Sequence, residues 1–440
     1  MTINLQTYPK YKESGLEWLS QIPSGWTTTK LFELYVQKKE YSDNDEELLS
    51  VYRDHGVILK SSRNDNHNKP SEDLSNYLLV KPNDLVINKM KAWQGSVAIS
   101  RYRGIVSPAY FTYKLQKIAN GKIFLPYLHH LLRSSAYIET YKRISTGIRP
   151  AQWDLDPYQF KILLVLLPPF ETQRCIADFL DEKTKIIDEL VAKKEKLIDF
   201  LREKRAALII HAVTKGLDPN AKMKPSGIDW LGDVPEEWWK IPLKFLFSYQ
   251  SGGIWGDEAR NDENDLICVR VADFDFVEFV AHSNDFTFRN VPNLKKELIL
   301  NEYSILLEKS GGGDQQPVGR TIRYLEKEKA TCSNFIQKLQ VNTKYNPEFI
   351  ILLLSMLYFS GVTMKVIKKT TGIQNLDLAA FLRTNIYLPS KDEQKSIVDF
   401  INMKSTNIIN TIKRMNLQIE QLKEYRSSLI YSAVTGKIKV

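Results

Sequence analysis

Two short stretches of this chain set cations and hydroxyls around a glycine. In YKRISTGIRP, residues 141–150, Lys142, Arg143 and Arg149 surround Ser145, Thr146 and Gly147. In KKTTGIQ, residues 368–374, Lys368 and Lys369 precede Thr370, Thr371 and Gly372, and Gln374 follows. Such a turn can grip phosphate oxygens, and Arg or Gln can hydrogen-bond guanine or adenine edges in a major groove. A solvated basic surface has the same composition. What favours nucleic-acid contact is that the two stretches occupy equivalent places in an internal repeat. A second pair of loops points the same way. NKMKAWQGS, residues 88–96, offers Lys89, Lys91, Trp93 and Gln94 between two strand-like runs. Its counterpart, EKSGGGDQQPVGR, offers Gln315 and Gln316 and differs in nearly every other side chain. Lys89, Lys91, Trp93, Gln94, Lys142, Arg143, Thr146, Arg149, Gln315, Gln316, Lys368, Lys369, Thr371 and Gln374 are the expected DNA contacts, with no catalytic or metal residue among them.

Catalytic patterns fail on particular residues. LPPF, residues 167–170, approaches the Asn-Pro-Pro-Phe loop of adenine methyltransferases, but Leu167 cannot hydrogen-bond the amino group to be methylated. NPEF at Asn346 keeps the polar residue and loses the second proline, and no glycine-rich loop lies upstream to hold a methyl donor. Asp84 and Lys89 approach the nuclease pattern of Asp followed by acid-x-Lys, yet the acid position is Ile87, so a two-metal site lacks its ligands. SGGGDQQ from Ser310 lacks the Gly-Lys-Ser/Thr of a phosphate-binding loop and reads as a flexible turn. Of six histidines only His129 and His130 are adjacent, and on a helix they point in different directions. An enzyme with its own methyltransferase or nuclease site is thus the weaker alternative.

The elements that carry these loops are written twice. SGLEWLSQIPSGW at residues 14–26 returns as SGIDWLGDVPEEW at residues 226–238, 212 positions later. LLPPFETQRCIADFL from Leu166 returns as YLPSKDEQKSIVDFI from Tyr387, an offset of 221, and AALIIHAVTKG returns as SSLIYSAVTGK. Between these anchors Pro126, Leu131, Leu132 and Ser134 answer Pro347, Leu352, Leu353 and Ser355. Each half reads as a mixed α and β part, with short strands such as DLVINKM and GSVAIS and helices near Leu125 and Phe349, followed by a long helix.

The long helices carry a heptad seam. Ile401, Ser405, Ile408, Ile412, Met415, Ile419, Leu422, Arg426, Leu429 and Ala433 step alternately by four and three. Shifted by 221, the first half reads Leu180, Thr184, Ile187, Val191, Lys194, Ile198, Leu201, Arg205, Leu208 and Ala212. Both seams place an arginine at the same step, and Lys194 interrupts the first where Met415 fills the second. Roughly 40 helical residues make a rod of about 60 Å, which cannot bury its stripe alone. The two rods are expected to pack on each other, antiparallel if the halves relate by a two-fold axis. A coiled-coil scaffold that does not bind DNA would share this seam.

Bulk properties agree. A chain of 440 residues with 43% hydrophobic residues supports two or more cores, and a net charge of +9 favours a polyanionic partner. Cys175, Cys268 and Cys332 form no zinc or redox spacing, no signal-peptide core opens the chain, and the longest apolar run, residues 349–359, is a buried helix rather than a span. A cytoplasmic protein without membrane partners is expected.

Taken together, the openings, the LPPFETQ and LPSKDEQ starts of the long helices and the tandem domain-helix order resemble the DNA specificity subunit of type I restriction-modification enzymes. The resemblance spans the chain. It implies an α+β fold: two pseudo-symmetric mixed α/β target-recognition domains separated by two long helices forming an antiparallel coiled coil. The corresponding divisions are residues 1–165 and 223–387 for the recognition domains, 166–215 and 388–440 for the helical spacers, and 216–222 for a linker. It further implies a double-stranded DNA target in two parts, two modification subunits docked on this chain and restriction/motor subunits joined through the complex. S-adenosylmethionine, ATP and Mg are then expected on those partners, with no cofactor in this chain.

Overall fold

The computed structural model describes residues 6–42, 46–63, 71, 73–147, 153–370 and 372–440. Two compact units account for the chain, Met1–Lys193 with Gln418–Val440, and Lys194–Leu417. The fold is α+β, with two mixed domains and two long helices, Phe170–Lys215 and Lys391–Val434.

In the first unit, the repeated opening forms a hairpin of Tyr11–Leu16 with Leu19–Pro23. The Ser14 hydroxyl closes it by donating to the Leu19 carbonyl. A four-stranded antiparallel sheet follows in the order Tyr35–Lys38, Tyr110–Leu115, Leu85–Asn88, Val97–Ile99. Leu85, Val86 and Ile87 are fully buried, so this strand is a centre of the sheet with both faces covered. Helices Leu125–Leu132 and Ser135–Arg143 pack on it through Leu128, Leu131, Tyr137 and Tyr141. The same core takes in Ile176, Leu180 and Ile187 of the first long helix and Leu429, Ala433 and Val434 of the second.

The second unit repeats the plan with larger sheets. Its opening pairs Met223–Pro225 with Asp233–Pro235. A six-stranded sheet runs Phe247–Gly252, Ile336–Val341, Ser304–Glu308, Thr321–Arg323, Val280–Ala281, Phe274–Asp275. A four-stranded sheet runs Asp257–Glu258, Phe288–Asn290, Asp265–Val269, Ala330–Cys332, the last pair parallel. The apolar run of the sequence is the helix Pro347–Phe359, in which residues 349–357 are all buried. A helix apolar on every side belongs in a core. No described helix is long and apolar enough to cross a membrane.

The heptad reading survives at every step. All ten seam residues of each long helix are buried or half-buried, Lys194 and Met415 included. Within each unit the two helices run antiparallel. In the first, Arg426 pairs with Asp188 at 2.9 Å, while Gly436, just past the second helix, receives the Tyr11 hydroxyl, whose ring meets Tyr8 beside Cys175. In the second, Phe279 lies 4.4 Å under the Arg205 guanidinium while its neighbour Glu278 pairs with Lys413 at 2.7 Å, and Gly216 sits against Glu393.

Each opening docks on the end of a long helix. Gly216 and Gly436 both hold positive φ, 76° and 73°, the left-handed conformation that stops a helix. A Cβ on Gly436 would stand 2.5 Å from Pro23 and 3.1 Å from Trp26, and one on Gly216 would stand 3.6 Å from Trp238. The repeated Pro and Trp of the openings are therefore the residues that cover these two helix ends.

Candidate nucleic-acid interface

In the first unit, the two loops singled out in the sequence meet. Residues 89–94 connect Leu85–Asn88 to Val97–Ile99, and Ala92–Gln94 form one 3-10 turn closed by Gly95 at φ 96°. A side chain at Gly95 would strike Ile138 at 2.9 Å, because helix Ser135–Arg143 packs directly on this turn. That helix delivers Lys142 and Arg143, both exposed, into a short ladder of Ser145–Thr146 with Asp154–Leu155. The Leu155 N–H donates to the Lys89 carbonyl at 3.1 Å, and the rings of Trp93 and Trp153 lie 5.3 Å apart. Lys91, Gln94 and Thr146 are exposed; Lys89 is half-buried with its ammonium 5.3 Å from the Phe111 ring. Arg143 reaches Glu17 at 3.3 Å on the surface, an interaction worth little in water. Arg149 lies outside the described residues.

In the second unit, the counterpart loop meets the counterpart hairpin. Ile367–Thr370 pairs with Ile373–Leu376, and the loop of residues 310–316 is sewn to it. The Gly311 N–H donates to the Gln374 carbonyl at 3.0 Å, Leu376 N–H to Lys309 O at 2.8 Å, and Ser310 Oγ to Asn375 Oδ1 at 2.6 Å. Lys369 pairs with Asp314 at 2.7 Å and Lys368 with Asp377 at 2.8 Å. These ammonium groups hold both carboxyls below the ordinary aspartate range. Gln315 is exposed and Gln316 accepts from Arg320 at 3.3 Å. Gln374 is buried, its amide oxygen accepting from Val318 N–H at 3.3 Å, so it holds the loop. Thr371 lies outside the described residues.

The groups weighed for catalysis are occupied otherwise. Asn346 caps helix Pro347–Phe359 by accepting from Glu348 N–H at 2.8 Å and Phe349 N–H at 3.3 Å. Asp84 is buried against Lys38 at 2.6 Å while Lys89 sits over Phe111. His129 is pushed down to about 3 by burial and then by the Arg133 guanidinium, and His130 binds Asp181 at 2.7 Å. Among the described residues no group of three His, Cys, Asp or Glu could hold a metal ion.

Beside residues 310–316 the second unit opens a cavity of about 650 Å3, lined by Trp255, Arg270, Asn334 and Phe335 as well as by the loop. None of those four was singled out in the sequence. Trp255, Asn334 and Phe335 signal themselves there only as an aromatic beside small residues, in SGGIWG and CSNFI, which is too common to select, and Arg270 carries no signal.

Comparison with known proteins gives this geometry its relatives. Residues 235–421 match the family described as the type I restriction modification DNA specificity domain. The type I restriction enzyme MjaVIII specificity subunit of Methanocaldococcus jannaschii is 24% identical over 450 aligned positions, covering 100% of this chain and 99% of its own. The StySPI specificity subunit of Salmonella potsdam is 19% identical, covering 95% and 90%. A solved chain from work on complex assembly and conformational transition of the type I R-M system shares the fold with a TM-score of 0.61 at 15% identity, covering 95% of this chain and 99% of that one.

Proposed function

We propose that this chain, whose residues 235–421 match the type I restriction modification DNA specificity domain and which resembles type I specificity subunits along its length, reads a DNA target in two parts. One recognition domain, residues 1–165, takes one half-site and the other, residues 223–387, takes the second; the long helices set the spacer and dock two modification subunits. The chain recognises, and the partner subunits supply methyl transfer and cleavage.

The observation that carries this reading is the recurrence of one arrangement with different side chains. In both units a loop leaving a central strand accepts a hydrogen bond from a short two-stranded ladder, from Leu155 to Lys89 in one and from Leu376 to Lys309 in the other; Lys142 and Arg143 end the helix just before the first ladder, and Lys368 and Lys369 lie in the second. A repeated frame with divergent loops is what two different half-sites require: backbone cations position the duplex, and the variable side chains read base edges. The helices offer a surface for partners besides. On the first long helix Ile186 and Leu190 in the first unit, and Leu197 and Phe200 in the second, are each more than two-fifths exposed and follow a heptad step beside the buried seam.

The test begins by mapping methylated adenines in the host genome to obtain the target duplex. Binding of the full chain is then measured by fluorescence anisotropy at two salt concentrations. Six or more phosphate contacts predict a loss of about a thousandfold or more between roughly 50 and 200 mM salt. Absence of binding, or affinity insensitive to salt, refutes the reading.

A further inference from the structure

The cavity beside residues 310–316 is assembled from three segments that the backbone sews together. Gly253 N–H donates to Ile336 O at 3.0 Å and Ile254 N–H to Cys332 O at 2.8 Å, which brings Trp255 to the turn carrying Asn334 and Phe335. Lys309 N–H donates to Phe335 O at 2.9 Å, which brings the glycine run to the same turn. Two of these approaches need glycine. A Cβ on Gly253 would stand 2.2 Å from the carbonyl oxygens of Cys332 and Ser333, and one on Gly312 would stand 2.6 Å from Gln316 O. At Gly311, φ 110°, a Cβ would lie 3.6 Å from the Phe335 ring, so the absence of a side chain there leaves that ring open.

The walls have a consistent chemistry. Trp255 is 38% exposed and Phe335 48% exposed, two large rings left uncovered at one cavity. One ring is already a stacking platform: the Arg289 guanidinium lies 4.6 Å from Trp255 and is fixed by donating to the Trp255 and Gly256 carbonyls at 3.3 and 3.1 Å. The charged groups of the lining are internally neutralised. Arg320 donates to buried Glu308 at 2.7 Å, and Arg270 to buried Asp273 at 2.8 Å. Asn334 and Gln316 add amide groups. A volume near 650 Å3 falls among small-molecule sites. Aromatic faces, amide edges and no unpaired charge on the two arginines suit a planar, neutral heteroaromatic with hydrogen-bonding edges rather than a phosphate.

We propose that this cavity binds one nucleobase, taken out of its stack in the half-site read by the second domain. The inference rests on the DNA-reading function proposed above, since that reading is what places a duplex beside residues 310–316. A base inside a duplex exposes only its edges, so it can meet an aromatic wall face-on only by leaving the stack. Two sources share this chemistry, a base of the bound duplex and a free mononucleotide, and the experiment separates them.

Full-length protein is titrated with the target duplex, with duplexes made abasic at each position of the second half-site, and with the four free deoxynucleoside monophosphates. Wild type, W255A, F335A and the ring-retaining W255F are compared, with circular dichroism reporting folding. Stacking on one aromatic predicts that W255A weakens the intact duplex between about five- and a hundredfold. It should cause no loss on the duplex abasic at one particular position, and W255F should restore most of the affinity. Monophosphate binding lost in W255A, with duplex affinity unchanged, assigns the same nucleobase site to a free nucleotide. Wild-type behaviour of W255A and F335A on every ligand overturns the proposal, as does an equal loss on every duplex without monophosphate binding. If wild type binds no duplex the DNA-reading function falls, and the monophosphates alone then decide: binding sensitive to W255A supports the site, and its absence overturns it.

Discussion

The indole N–H of Trp238 donates to Glu393 Oε2 at 3.1 Å, joining the opening of the second repeat to the first turn of the second long helix. The first repeat places Thr172 where Glu393 stands, so the two openings share their tryptophan and not its partner. Burial raises the Glu393 carboxyl above its ordinary value; the Trp238 hydrogen bond opposes this, and nearby Glu237 adds to it.

The sign of that shift predicts a pH-dependent gain. A carboxyl that holds its proton more tightly when folded adds stability below its unfolded value, near 4.5, and loses that contribution as pH rises through its folded value. At neutral pH the half-buried carboxylate is therefore a cost. Glu393→Gln keeps an acceptor for the indole and removes the charge. It should raise the melting temperature by about 2 °C at pH 7.5, the scale of a change below ~1 kcal/mol, and by nothing at pH 4. Thermal melts of both proteins at the two pH values check this.

Gln173 and Gln394, which share the 221-residue offset, are both buried and sew each long helix to its own domain. Gln173 Oε1 accepts from Phe124 N–H at 2.7 Å while Nε2 donates to Lys122 O at 3.0 Å and Pro168 O at 2.9 Å. Gln394 accepts from Asn346 N–H at 3.2 Å and donates to Pro389 O at 3.0 Å. Replacing either with Ala leaves buried backbone groups unsatisfied, at about 1–3 kcal/mol. Urea unfolding should show a lower midpoint for each variant, with Gln173→Ala acting on the first unit and Gln394→Ala on the second.

How much of this was legible beforehand depends on how local each signal is. The heptad seam was, because a period of 3.5 residues states which side of a helix is covered whatever covers it. The recurrence of LPPFETQ and LPSKDEQ was visible as well, yet the role of its glutamines was not, since their partners Phe124 and Asn346 lie 49 and 48 residues away. The cavity was out of reach for the same reason: Trp255 and Phe335 stand 80 positions apart, and the pairing of Gly253 with Ile336 and of Ile254 with Cys332 brings them together. Gln374 shows the opposite limit. Its residue type suits an adenine edge, and burial commits it to Val318 instead.

His129 predicts acid sensitivity in the first unit. Its folded value, near 3, lies far below the 6.5 of a free imidazole, chiefly through burial and then through Arg133. The unfolded chain thus binds a proton that the folded chain refuses, so stability falls as pH drops from about 6.5 toward 3. His129→Gln, which cannot protonate, should flatten this loss. Urea midpoints at pH 7 and pH 4.5 should differ less in the variant than in wild type; equal differences would count against the burial of a neutral imidazole.

The lysines of the second hairpin should act as phosphate contacts. Lys368 and Lys369 are largely exposed and their pairing with Asp377 and Asp314 is a surface one, so both can exchange carboxylate for phosphate at little cost. The double variant K368A/K369A should weaken target and non-target duplexes alike and lower the slope of log K against log salt by about 1.8, at 0.9 per phosphate lost. A change in sequence preference with the slope intact would instead make them readers of bases.

The proposed spacer function of the helices can be tested by their length. Adding seven residues to each, after Lys196 and after Leu417, keeps both seams in heptad phase and lengthens each rod by about 10 Å. Both insertion points are exposed, away from the seam residues Ile198 and Ile419. At about 3.4 Å per base pair this is roughly three pairs of duplex. If the helices set the distance between the recognition domains, methylation mapping should show the preferred spacer growing by a similar amount with both half-sites unchanged. The one competing effect is rotation around the duplex, which would lower modification on every spacer tested. Adding three residues to each helix instead breaks the heptad phase between the stretches of seam on either side of the insertion and should abolish assembly. Undiminished modification at the original spacer by the seven-residue variant would show that something other than these helices measures the DNA.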